Sequence, residues 1–479
     1  MDEFLSLVAK IIAPVNSFAW GPVMLALLVG TGIYLTIRMN WIQVTKFPYI
    51  FRHTLGGVFT GRGRDHGANI SPFQAVSAAL AGTVGTGNIA GVTGALFTGG
   101  PGALFWMWVS AFFGMCTKYS EIALAIKFRE QDADGAYHGG PMYYIKNGLG
   151  KKWMWLAVIF CVFGGLASFG IGNIAQSTEM TSALRELFGL GDWTAGCCIA
   201  FAAATVIIGG IKRVGRVASF LVPFMALFYI VCGIAVIVMR YDAIPGAFSR
   251  IIDSAFSLRS AGGGIFGYAI MQAMRAGFAR GVFSNEAGLG SAPIVHAASS
   301  TKEPAAQAIW GVFEVFFDTG VICTITGLAV ILSGVLDAPG GVSAFGSNSA
   351  AAVSAFNIIF DLDGAQTGGG GTLGGKIIFI SIVFFSFTTL ISWSYYGETC
   401  WAFLTRNNKK IIFVYKILFI ATCFVGAKGS GKLMWDIADT FNGLMAIPNL
   451  IALIPLAGVV AKITKDYFAK EQNHAAPER

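Results

Sequence analysis

The residues best suited to binding chemistry lie in the middle of an apolar stretch, at positions 80–91. Gly82, Gly85 and Gly87 alternate there with threonines and with Asn88. Because glycine costs about 1 kcal/mol relative to alanine inside a helix, this cluster predicts a helix break. A break frees backbone carbonyls that bind a hard cation, and it exposes a helix N-terminus that can face a carboxylate. The alternative is a face of small residues that lets two helices pack closely.

A later apolar stretch carries a similar cluster between residues 272 and 290, which predicts a second interrupted helix. Arg275, Arg280 and Glu286 lie there among glycines. A charge without a partner inside a membrane costs at least about 2.5–3.5 kcal/mol, so such side chains face the protein interior and form pairs. They can act as a gate or contact a charged substrate. For Arg280 and Glu286 we favour a structural ion pair.

Two further pairs of charges lie inside apolar stretches. Lys118 and Glu121 are spaced i,i+3, so they share a helix face and can neutralise each other. Glu314 and Asp318 are spaced i,i+4. Because like charges one turn apart repel, one of these carboxylates is expected to be protonated or to face a cation. A proton-relay role for Glu314 or Asp318 stays open.

A third set of polar side chains lies between residues 384 and 393. Thr388 and Thr389 place hydroxyl groups where a sodium ion would find oxygen ligands, and Trp393 follows Thr389 by one helical turn. A tryptophan in that position can wall a small pocket. From the residues alone, hydrogen bonds from the threonines to carbonyls one turn back are the simpler interpretation.

The composition explains why these polar residues need a protein interior. Of 479 residues, 55% are hydrophobic and 12% are charged, against about 25% charged in an average soluble protein. This composition cannot cover a surface in water, so an all-α membrane protein with several spans is predicted. The composition also argues against a disordered chain, a secreted disulfide scaffold and a nucleic-acid-binding protein.

Eleven stretches are long enough to span a lipid bilayer, since each span needs roughly 20 apolar residues. The second and the seventh carry the glycine clusters described above. Two interrupted helices five positions apart are the pattern of a transporter built from inverted repeats. The stretches are residues 17–37, 72–97, 103–126, 153–183, 192–210, 214–239, 264–292, 305–334, 376–404, 411–427 and 433–461.

The distribution of basic residues predicts how the chain is oriented in the membrane. The connections on one side carry 21 Lys and Arg residues, and those on the other side carry seven. Because basic loops stay in the cytoplasm, we expect a plasma-membrane protein with its N-terminus outside and its C-terminus in the cytoplasm. Residues 40–60 suit an amphipathic helix on the inner membrane surface, with an ordinary basic loop as the alternative.

Five short motifs in the sequence are distinctive. They lie at residues 85–88, 99–109, 114–121, 139–144 and 283–291. Among them are the runs Gly-Gly-Pro-Gly-Ala-Leu-Phe-Trp, which begins at residue 99, and Phe-Ser-Asn-Glu-Ala-Gly-Leu-Gly-Ser, which begins at residue 283. In these motifs the chain resembles the alanine or glycine:cation symporter family, also called the sodium:alanine symporters. The matches extend from the first predicted helix to the last.

The resemblance implies a LeuT-like fold, which is the five-plus-five inverted repeat of the leucine transporter, here with one additional N-terminal helix. The second and seventh stretches would then be the first and sixth core helices. The resemblance divides the chain into four units. These are an N-terminal helix with the basic segment (1–71), a first five-helix repeat (72–239), a second five-helix repeat (264–461) and a cytoplasmic tail (462–479).

The resemblance also implies sodium-coupled uptake of alanine or glycine without an enzymatic cofactor. By similarity, the sodium ion would be held by the carbonyls of Ala81, Val84 and Phe385 and by the hydroxyls of Thr388 and Thr389. The amino acid would contact eight residues on four core helices. These are Thr83, Gly87 and Asn88 on the first, Phe169 and Gln176 on the third, Gln272 and Phe278 on the sixth, and Trp393 on the eighth.

The alternatives to this function are a proton-coupled carrier, a passive channel and an enzyme. A proton-coupled carrier of the same fold stays open through Glu314 and Asp318. A passive channel is the alternative from a different class, although the sequence has no repeated pore loop or ring of like charges. An enzyme is not expected, because the five histidines form no metal-binding or nucleophile pattern inside the apolar stretches.

Overall fold

The chain folds into helices joined by short connections, together with a hairpin of two short β-strands. The structure is a computed structural model, and it describes residues 2–60, 69–256, 263–360, 371–429 and 432–475. Parts of the predicted terminal units, residues 61–68 and 476–479, lie outside the described residues.

Every predicted stretch in the first half of the chain contains a helix. Turns at Thr86–Asn88, of 3₁₀ type, and at Gly170–Ile174, of the wider π type, interrupt two of the stretches. The helices are α1 (Asp2–Ala19), α2 (Pro22–Arg38), α3 (Ile42–Thr45), α4 (Phe47–Thr60), α5 (Pro72–Thr83), α6 (Ala90–Gly99), α7 (Gly102–Phe128), α8 (Pro141–Tyr144), α9 (Met154–Phe169), α10 (Ala175–Phe188), α11 (Asp192–Ile207), α12 (Gly210–Met239) and α13 (Ile244–Phe256), and the strands β1 (Glu130–Gln131) and β2 (Tyr137–His138) pair antiparallel.

The second half is also helical, and a π-type turn at Phe316–Cys323 interrupts its second long span. The helices are α14 (Gly263–Asn285), α15 (Ala292–Ala297), α16 (Pro304–Val315), α17 (Thr324–Ser333), α18 (Asn348–Phe360), α19 (Leu373–Leu404), α20 (Lys409–Ala427) and α21 (Lys432–Ala475).

Within the described ranges, seven helices are long and apolar enough to cross a membrane. The number becomes eight when α5 and α6, which meet at an angle of 56°, are taken as one bent span. Helices α7, α11 and α14 are not among these eight. The structure therefore supports a multi-pass membrane protein, and the figure of eleven spans stays a prediction.

Large apolar side chains face outward on several helices. Phe201 on α11 and Phe220 on α12 are each 74% exposed, and Phe413 on α20 is 59% exposed. Apolar area of this size is unfavourable in water, whereas lipid hydrocarbon solvates it. These three helices therefore present apolar faces to the bilayer.

The interior is built around α7, which packs against α14 and α16, while α19 packs against α5, α9 and α10. Charged side chains are concentrated there. Lys118 and Glu121 on α7, Glu314 on α16 and Asp318 in the following turn all have no exposed surface. Because burying an unpaired charge is costly, each of these groups needs partners from neighbouring helices.

Helix α5 begins at a sharply defined position. The Ser71 hydroxyl accepts the backbone N–H of Gln74 at 3.1 Å, and the Gln74 side chain accepts the N–H of Ser71 at 3.0 Å. This reciprocal cap, with Pro72 at the first helical position, satisfies two N–H groups that a helix start leaves free. It also fixes the register in which the later residues of α5 meet α19.

The C-terminal helix is longer than expected. The sequence predicted a span over 433–461 and then a tail, whereas α21 continues through most of that tail. The predicted amphipathic segment forms α3 and α4, and it packs against this extension, where the hydroxyls of Tyr49 and Tyr467 lie 2.9 Å apart. One face of this segment therefore packs on α21, and its position on the inner membrane surface stays a prediction.

Arg129 holds the end of α7 against the segment that follows α15. Its guanidinium donates to the carbonyls of Ala297 at 3.0 Å, Ser299 at 2.6 Å and Thr301 at 2.6 Å. It also lies 3.7 Å from the centre of the Tyr137 ring on β2. One side chain thus joins the hairpin to three alternate carbonyls of the segment 297–301.

The same region ties the start of α5 to the end of α15. The N–H of Ile70 donates to the carbonyl of Ala298 at 3.1 Å, and the N–H of Ser300 donates to the carbonyl of Ile70 at 2.8 Å. Asn69 reaches the hairpin through Gly135, whose carbonyl accepts its amide at 3.1 Å. The hairpin therefore lies beside the point where the start of the first interrupted helix meets the end of the second.

The hairpin is stabilised by Asp132. Its carboxylate lies 2.8 Å from His138 Nε2 and accepts the N–H of Ala136 at 2.9 Å. Burial acts to raise the pKa of Asp132, but these hydrogen bonds outweigh it and hold the pKa below its usual value. A cavity of about 270 Å³ opens beside the hairpin, between Asn69 and Glu398 of α19.

We predict that Arg129→Gln weakens the contacts between the hairpin, the start of α5 and the segment that follows α15. Glutamine can replace at most one of the three charged hydrogen bonds, so the apparent stability should fall by at least about 2 kcal/mol. Hydrogen–deuterium exchange should show faster exchange at the amides of Ile70 and Ser300. The control is Lys127→Gln, which removes an exposed charge two residues earlier. Equal protection of both amides in the two variants would contradict this stabilising role of Arg129.

Candidate ion and substrate site

The first interrupted helix breaks inside the glycine cluster, as predicted. The N–H of Gly85 donates to Asn88 Oδ1 at 2.9 Å, and the N–H of Asn88 donates to the Gly85 carbonyl at 3.1 Å. In a continuous helix these two N–H groups would bond the carbonyls of Ala81 and Val84. The break therefore leaves the carbonyls of Ala81 and Val84 without their helical partners where α5 meets α19.

One threonine on α19, Thr389, faces these freed carbonyls. The Thr389 hydroxyl lies 3.0 Å from the Ala81 carbonyl and 3.4 Å from that of Val84. The Thr388 hydroxyl lies 3.1 Å from the Phe385 carbonyl. The structure thus brings Ala81, Val84 and Thr389 together, whereas the Thr388 hydroxyl bonds carbonyls one turn back in its own helix and lies 3.4 Å from Met225 Sδ. Hydroxyl groups can turn their protons aside and offer lone pairs, so this set of oxygens fits a hard cation.

The glycines of the first break also permit close packing. A Cβ atom at Gly85 would lie 2.6 Å from Thr389 Oγ1, and one at Gly82 would lie 2.6 Å from the Tyr396 hydroxyl. Both interpretations of the cluster therefore hold at once. The glycines break the helix, and they let α19 approach near enough for its hydroxyls to reach the freed carbonyls.

The second interrupted helix breaks at its end instead of in its middle. Helix α14 is continuous to Asn285, and Glu286 then takes a left-handed conformation with φ of 56°. The Asn285 side chain accepts the N–H of Ala287 at 3.0 Å. At the first break Asn88 accepts the N–H of Gly85, three residues before it, so each break carries an asparagine that binds a freed N–H group.

Two expected substrate contacts lie on α14 away from this break. At 1.5 Å per residue, Phe278 lies about 10 Å and Gln272 about 20 Å from the end of the helix. The Phe278 ring packs against Trp106 of α7, with ring centres 5.7 Å apart. Gly288 and Gly290, both with positive φ, mark the break and were the better signal in the sequence.

Trp393 lies beside the second break. Its indole N–H donates to Glu286 Oε1 at 2.9 Å, and the Ser291 hydroxyl donates to Glu286 Oε2 at 2.6 Å. A Cβ atom at Gly172 would overlap Trp393, so the turn between α9 and α10 also contacts this ring. Trp393 therefore fills the space between the turn that joins α9 to α10 and the second break.

The remaining expected substrate contacts have different surroundings. Gly87 lies beside Asn88 with α14 packed against it. The Thr83 hydroxyl bonds carbonyls of its own helix, and Phe169 packs against Tyr415 of α20. Gln176 donates to a carbonyl of the π-type turn, while its buried Oε1 has no partner among the described residues.

The expected ion pair between Arg280 and Glu286 is wrong. Arg280 lies 3.4 Å from Asp439 of α21, and its guanidinium lies 5.0 Å from the centre of the Phe283 ring. Glu286 follows the last residue of α14 and turns toward α19. The break between the two side chains therefore separates them.

Lys118 and Glu121 do not neutralise each other, contrary to expectation. The Lys118 ammonium lies 3.2 Å from Glu314 and donates to the Asn285 carbonyl at 2.9 Å, where α14 ends. Glu121 accepts the amide of Asn449 from α21. Neighbouring helices supply nearer partners than the i,i+3 position does. The expectation that one carboxylate of Glu314 and Asp318 faces a cation is confirmed for Glu314.

Asp318 joins the two breaks. The amide of Asn88 donates to its Oδ1 at 2.7 Å, and the hydroxyls of Ser284 and Thr319 donate to its Oδ2 at 2.8 and 2.9 Å. The contact with Asn88 spans 230 residues of sequence. The spacing from Glu314 drew attention to Asp318, but no sequence signal indicated its partners or the part played by Ser284.

Comparisons with known proteins agree with this architecture. A profile of the sodium:alanine symporter family matches residues 5–479. The chain is 44% identical over 478 residues to the sodium/alanine symporter AgcS of Methanococcus maripaludis, covering 99% of each chain. It is 34% identical to the putative sodium/proton-dependent alanine carrier protein YrbD of Bacillus subtilis, covering 98% of this chain and 94% of that protein.

A solved structure shares the fold. The crystal structure of MhsT in complex with L-phenylalanine aligns with a TM-score of 0.56 at 13% sequence identity, covering 84% of this chain and 99% of that one. At this level of identity the likeness concerns the fold alone.

We predict that Gly85→Ala disrupts the contact between the first break and α19. The new methyl group would displace the Thr389 hydroxyl, at a cost of about 1–3 kcal/mol. The melting temperature of the purified protein should fall, and any rise produced by sodium should be lost. Gly91→Ala is the matched control, because only Arg280 Cδ lies within 4.0 Å of a Cβ there. An equal sodium response in both variants would contradict the prediction.

Proposed function

The chain belongs to the sodium:alanine symporter family, and on that premise we propose that it is a secondary active symporter that couples sodium influx to the uptake of alanine or glycine. One observation carries the proposal. The carbonyls of Ala81 and Val84, freed by the first break, meet the hydroxyl of Thr389 on a different helix. A sodium ion at this point would bind α5 and α19 together.

Coupling follows from what that ion would change. Without it, the freed carbonyls of α5 can be satisfied only by threonine protons. With it, five oxygens converge on one charge and hold α5 in a single position against α19. A ligand shifts a conformational equilibrium by its difference in affinity for the two states. Sodium and the amino acid would therefore each bind more tightly to the arrangement that the other stabilises.

The amino acid would bind between the two breaks. The N-terminus of α6, beside Gly87 and Asn88, offers partial positive charge to the substrate carboxylate. Trp393 and the third core helix would form the opposite wall, with the free Gln176 Oε1 as an acceptor for the ammonium group. Because Trp393 fills much of this space, a hydrogen or methyl side chain is favoured over a larger one.

The overall arrangement proposed is that of two five-helix repeats, residues 72–239 and 264–461, with an N-terminal helix outside them. Each repeat would contain one interrupted helix, with an asparagine that binds a freed N–H group at the interruption. We place the hairpin and its adjoining cavity on the cytoplasmic side of the plasma membrane, since the basic connections lie at that end. The hydrogen bonds made by Arg129 would then close the transport pathway on its cytoplasmic side.

A proton-coupled carrier of the same fold is the second candidate. It is favoured by one observation, the buried carboxylate of Asp318 at the junction of the breaks. The name of the Bacillus subtilis relative also includes both ions. Uptake in sodium-free buffer with an imposed pH gradient would distinguish this candidate from the first.

We predict that alanine uptake into proteoliposomes requires an inward sodium gradient and that Thr389→Val impairs it. Loss of one oxygen ligand should raise the half-maximal sodium concentration at least about tenfold, since a hydrogen bond to a charge contributes about 1.5 kcal/mol or more. Radiolabelled alanine uptake at graded sodium concentrations measures this.

Thr399→Val is the control for that experiment. Thr399 is buried on the same helix, and its hydroxyl bonds the Tyr395 carbonyl one turn back. This variant should keep the sodium dependence of the unmodified protein. Equal alanine uptake with and without a cation gradient would contradict symport and would instead favour a passive pathway.

We predict that Trp393→Ala broadens the range of substrates. Removing the ring opens space beside Gly172, so leucine or glutamine should compete for alanine uptake where they do not compete in the unmodified protein. A competition panel of amino acids measures this. Trp393→Phe, which keeps an aromatic wall but loses the bond to Glu286, should retain the narrow range. Unchanged selectivity in Trp393→Ala would remove this residue from the pocket wall.

A further inference from the structure

A charged cavity lies beside the β-hairpin, at the end of the protein that carries the basic connections. Its volume is about 340 Å³, and it is bounded by the hairpin, the final turns of α19 and the first turns of α20. The lining carries three carboxylates and two ammonium groups, from Asp132, Asp134, Glu398, Lys409 and Lys416. The proposed ion and substrate site uses other residues, so these charges have a separate role.

One wall of this cavity is apolar. It is formed by Ile208, which follows α11, and by Phe413 and Ile417 on α20, and all three side chains are exposed. They continue the apolar face that α11 and α20 present to the bilayer, because lipid hydrocarbon solvates such side chains and water does not. A charged wall therefore meets a lipid-facing wall within one cavity, which is the chemistry that surrounds a phospholipid where its headgroup joins its acyl chains.

The inner end of the charged wall is a fixed ion pair. The Lys416 ammonium lies 2.8 Å from Glu398 Oε1, and the two side chains are only 15% and 21% exposed. Lys416 lies about 10 Å along α20 from its first residue, Lys409. It is placed in the sequence between the lipid-facing Phe413 and Ile417. Charge so near hydrocarbon is stabilised by pairing and by contact with polar headgroups.

The outer end of the charged wall is a loose ion pair. The Lys409 ammonium lies 3.5 Å from Asp134 Oδ2, and the two side chains are 85% and 76% exposed. Ion pairs this exposed contribute little to stability, so the two groups can separate and bind a ligand at small cost. Asp132 is less free, because its carboxylate bonds His138 and the N–H of Ala136.

The two signs of charge restrict the kind of headgroup that fits. A purely anionic headgroup would meet three carboxylates, and a purely cationic one would meet two ammonium groups. A phosphoethanolamine group carries both signs, since its phosphate accepts hydrogen bonds from lysine and its ammonium donates to carboxylates. A choline headgroup has no N–H donor. The cavity volume is roughly eleven times that of one water molecule in the liquid, which accommodates phosphoethanolamine.

We propose that this cavity binds the headgroup of a phosphatidylethanolamine molecule from the inner leaflet of the membrane. The phosphate lies between Lys409 and Lys416, the ammonium binds Asp134, and the acyl chains follow Phe413 and Ile417 along α20. The choice of leaflet rests on the proposed orientation of the chain. The binding itself does not depend on which amino acid or ion is transported.

A lipid in this position would join α20 to the hairpin. Asp134 lies in the turn of the hairpin, and the N–H of Ala136 in the same turn is held by Asp132. Because the headgroup adds contacts to this turn, it should slow hydrogen exchange at Ala136. The hairpin also contacts Arg129, so a bound lipid would stabilise the contacts that Arg129 makes.

Native mass spectrometry of the purified full-length protein tests the proposal. The protein is titrated with phosphatidylethanolamine, phosphatidylcholine and phosphatidylglycerol that have the same acyl chains. Phosphatidylethanolamine should bind about threefold more tightly than either of the others, since the contacts it gains are partly exposed. Lys409→Gln should weaken its binding by about the same factor. Asp134→Asn should remove the preference over phosphatidylglycerol.

Lys410→Gln is the matched control. Lys410 is exposed and follows Lys409 directly, but it does not line the cavity. This variant should keep the affinity and the lipid preference of the unmodified protein. Both side chains changed in the test variants are also exposed, so the variants should fold, and circular dichroism checks this.

Hydrogen exchange in lipid nanodiscs gives a second measurement. The amide of Ala136 should exchange more slowly in phosphatidylethanolamine than in phosphatidylcholine. This difference should disappear in Lys409→Gln and persist in Lys410→Gln. Equal exchange of the unmodified protein in the two lipids would contradict the proposed contact with the hairpin.

Three binding results would overturn the proposal. Equal affinity for the three lipids, or unchanged affinity in both Lys409→Gln and Asp134→Asn, would show that the cavity does not select a headgroup. Tighter binding of phosphatidylglycerol than of phosphatidylethanolamine would assign the cavity to an anionic lipid. Displacement of the lipid by an equal concentration of soluble glycerophosphoethanolamine would assign it to a free polar ligand, because the acyl chains would then contribute nothing.

Discussion

Two interrupted helices constrain the rest of the structure, because backbone groups freed inside a membrane must form hydrogen bonds within the protein. Each break is capped by an asparagine, Asn88 in the first and Asn285 in the second. Capping satisfies the N–H groups and leaves carbonyls exposed to the interior. The helices around the breaks are arranged so that hydroxyls and charged groups reach those carbonyls, since lipid cannot solvate them.

The buried charges follow the same constraint. Lys118 places its ammonium on the Asn285 carbonyl and is in turn held by Glu314, which lies 2.7 Å from His296. The end of α14 is therefore neutralised by a fixed cation of the protein itself. At the first break, the side-chain group of the described residues that contacts the Ala81 and Val84 carbonyls is the neutral hydroxyl of Thr389 on α19. This asymmetry is a physical reason to expect a mobile cation at the first break and none at the carbonyl of Asn285.

Much of this arrangement could be predicted from the sequence, and the rest could not. Glycine spacing located the first break, because the intrinsic cost of glycine in a helix is local. The same reasoning located a second interruption between residues 272 and 290, and the structure places it after Asn285. The partners of Lys118 and Arg280 were predicted within the same stretch of sequence. In the structure Lys118 instead pairs with Glu314 on α16, and Arg280 with Asp439 on α21. Helix packing brings these side chains closer than the candidates along the same stretch of sequence.

The sequence by itself determined that the chain is a helical membrane protein with two glycine-rich interruptions, and its motifs indicated the family. These properties depend on composition and on neighbours within a few residues. Only the tertiary structure decided that Thr389 reaches the Ala81 carbonyl, that Trp393 binds Glu286, and that Asn88 and Ser284 meet at Asp318. Each of these contacts joins residues more than 30 positions apart. Such pairs are selected by how whole helices pack, which short-range sequence patterns do not encode.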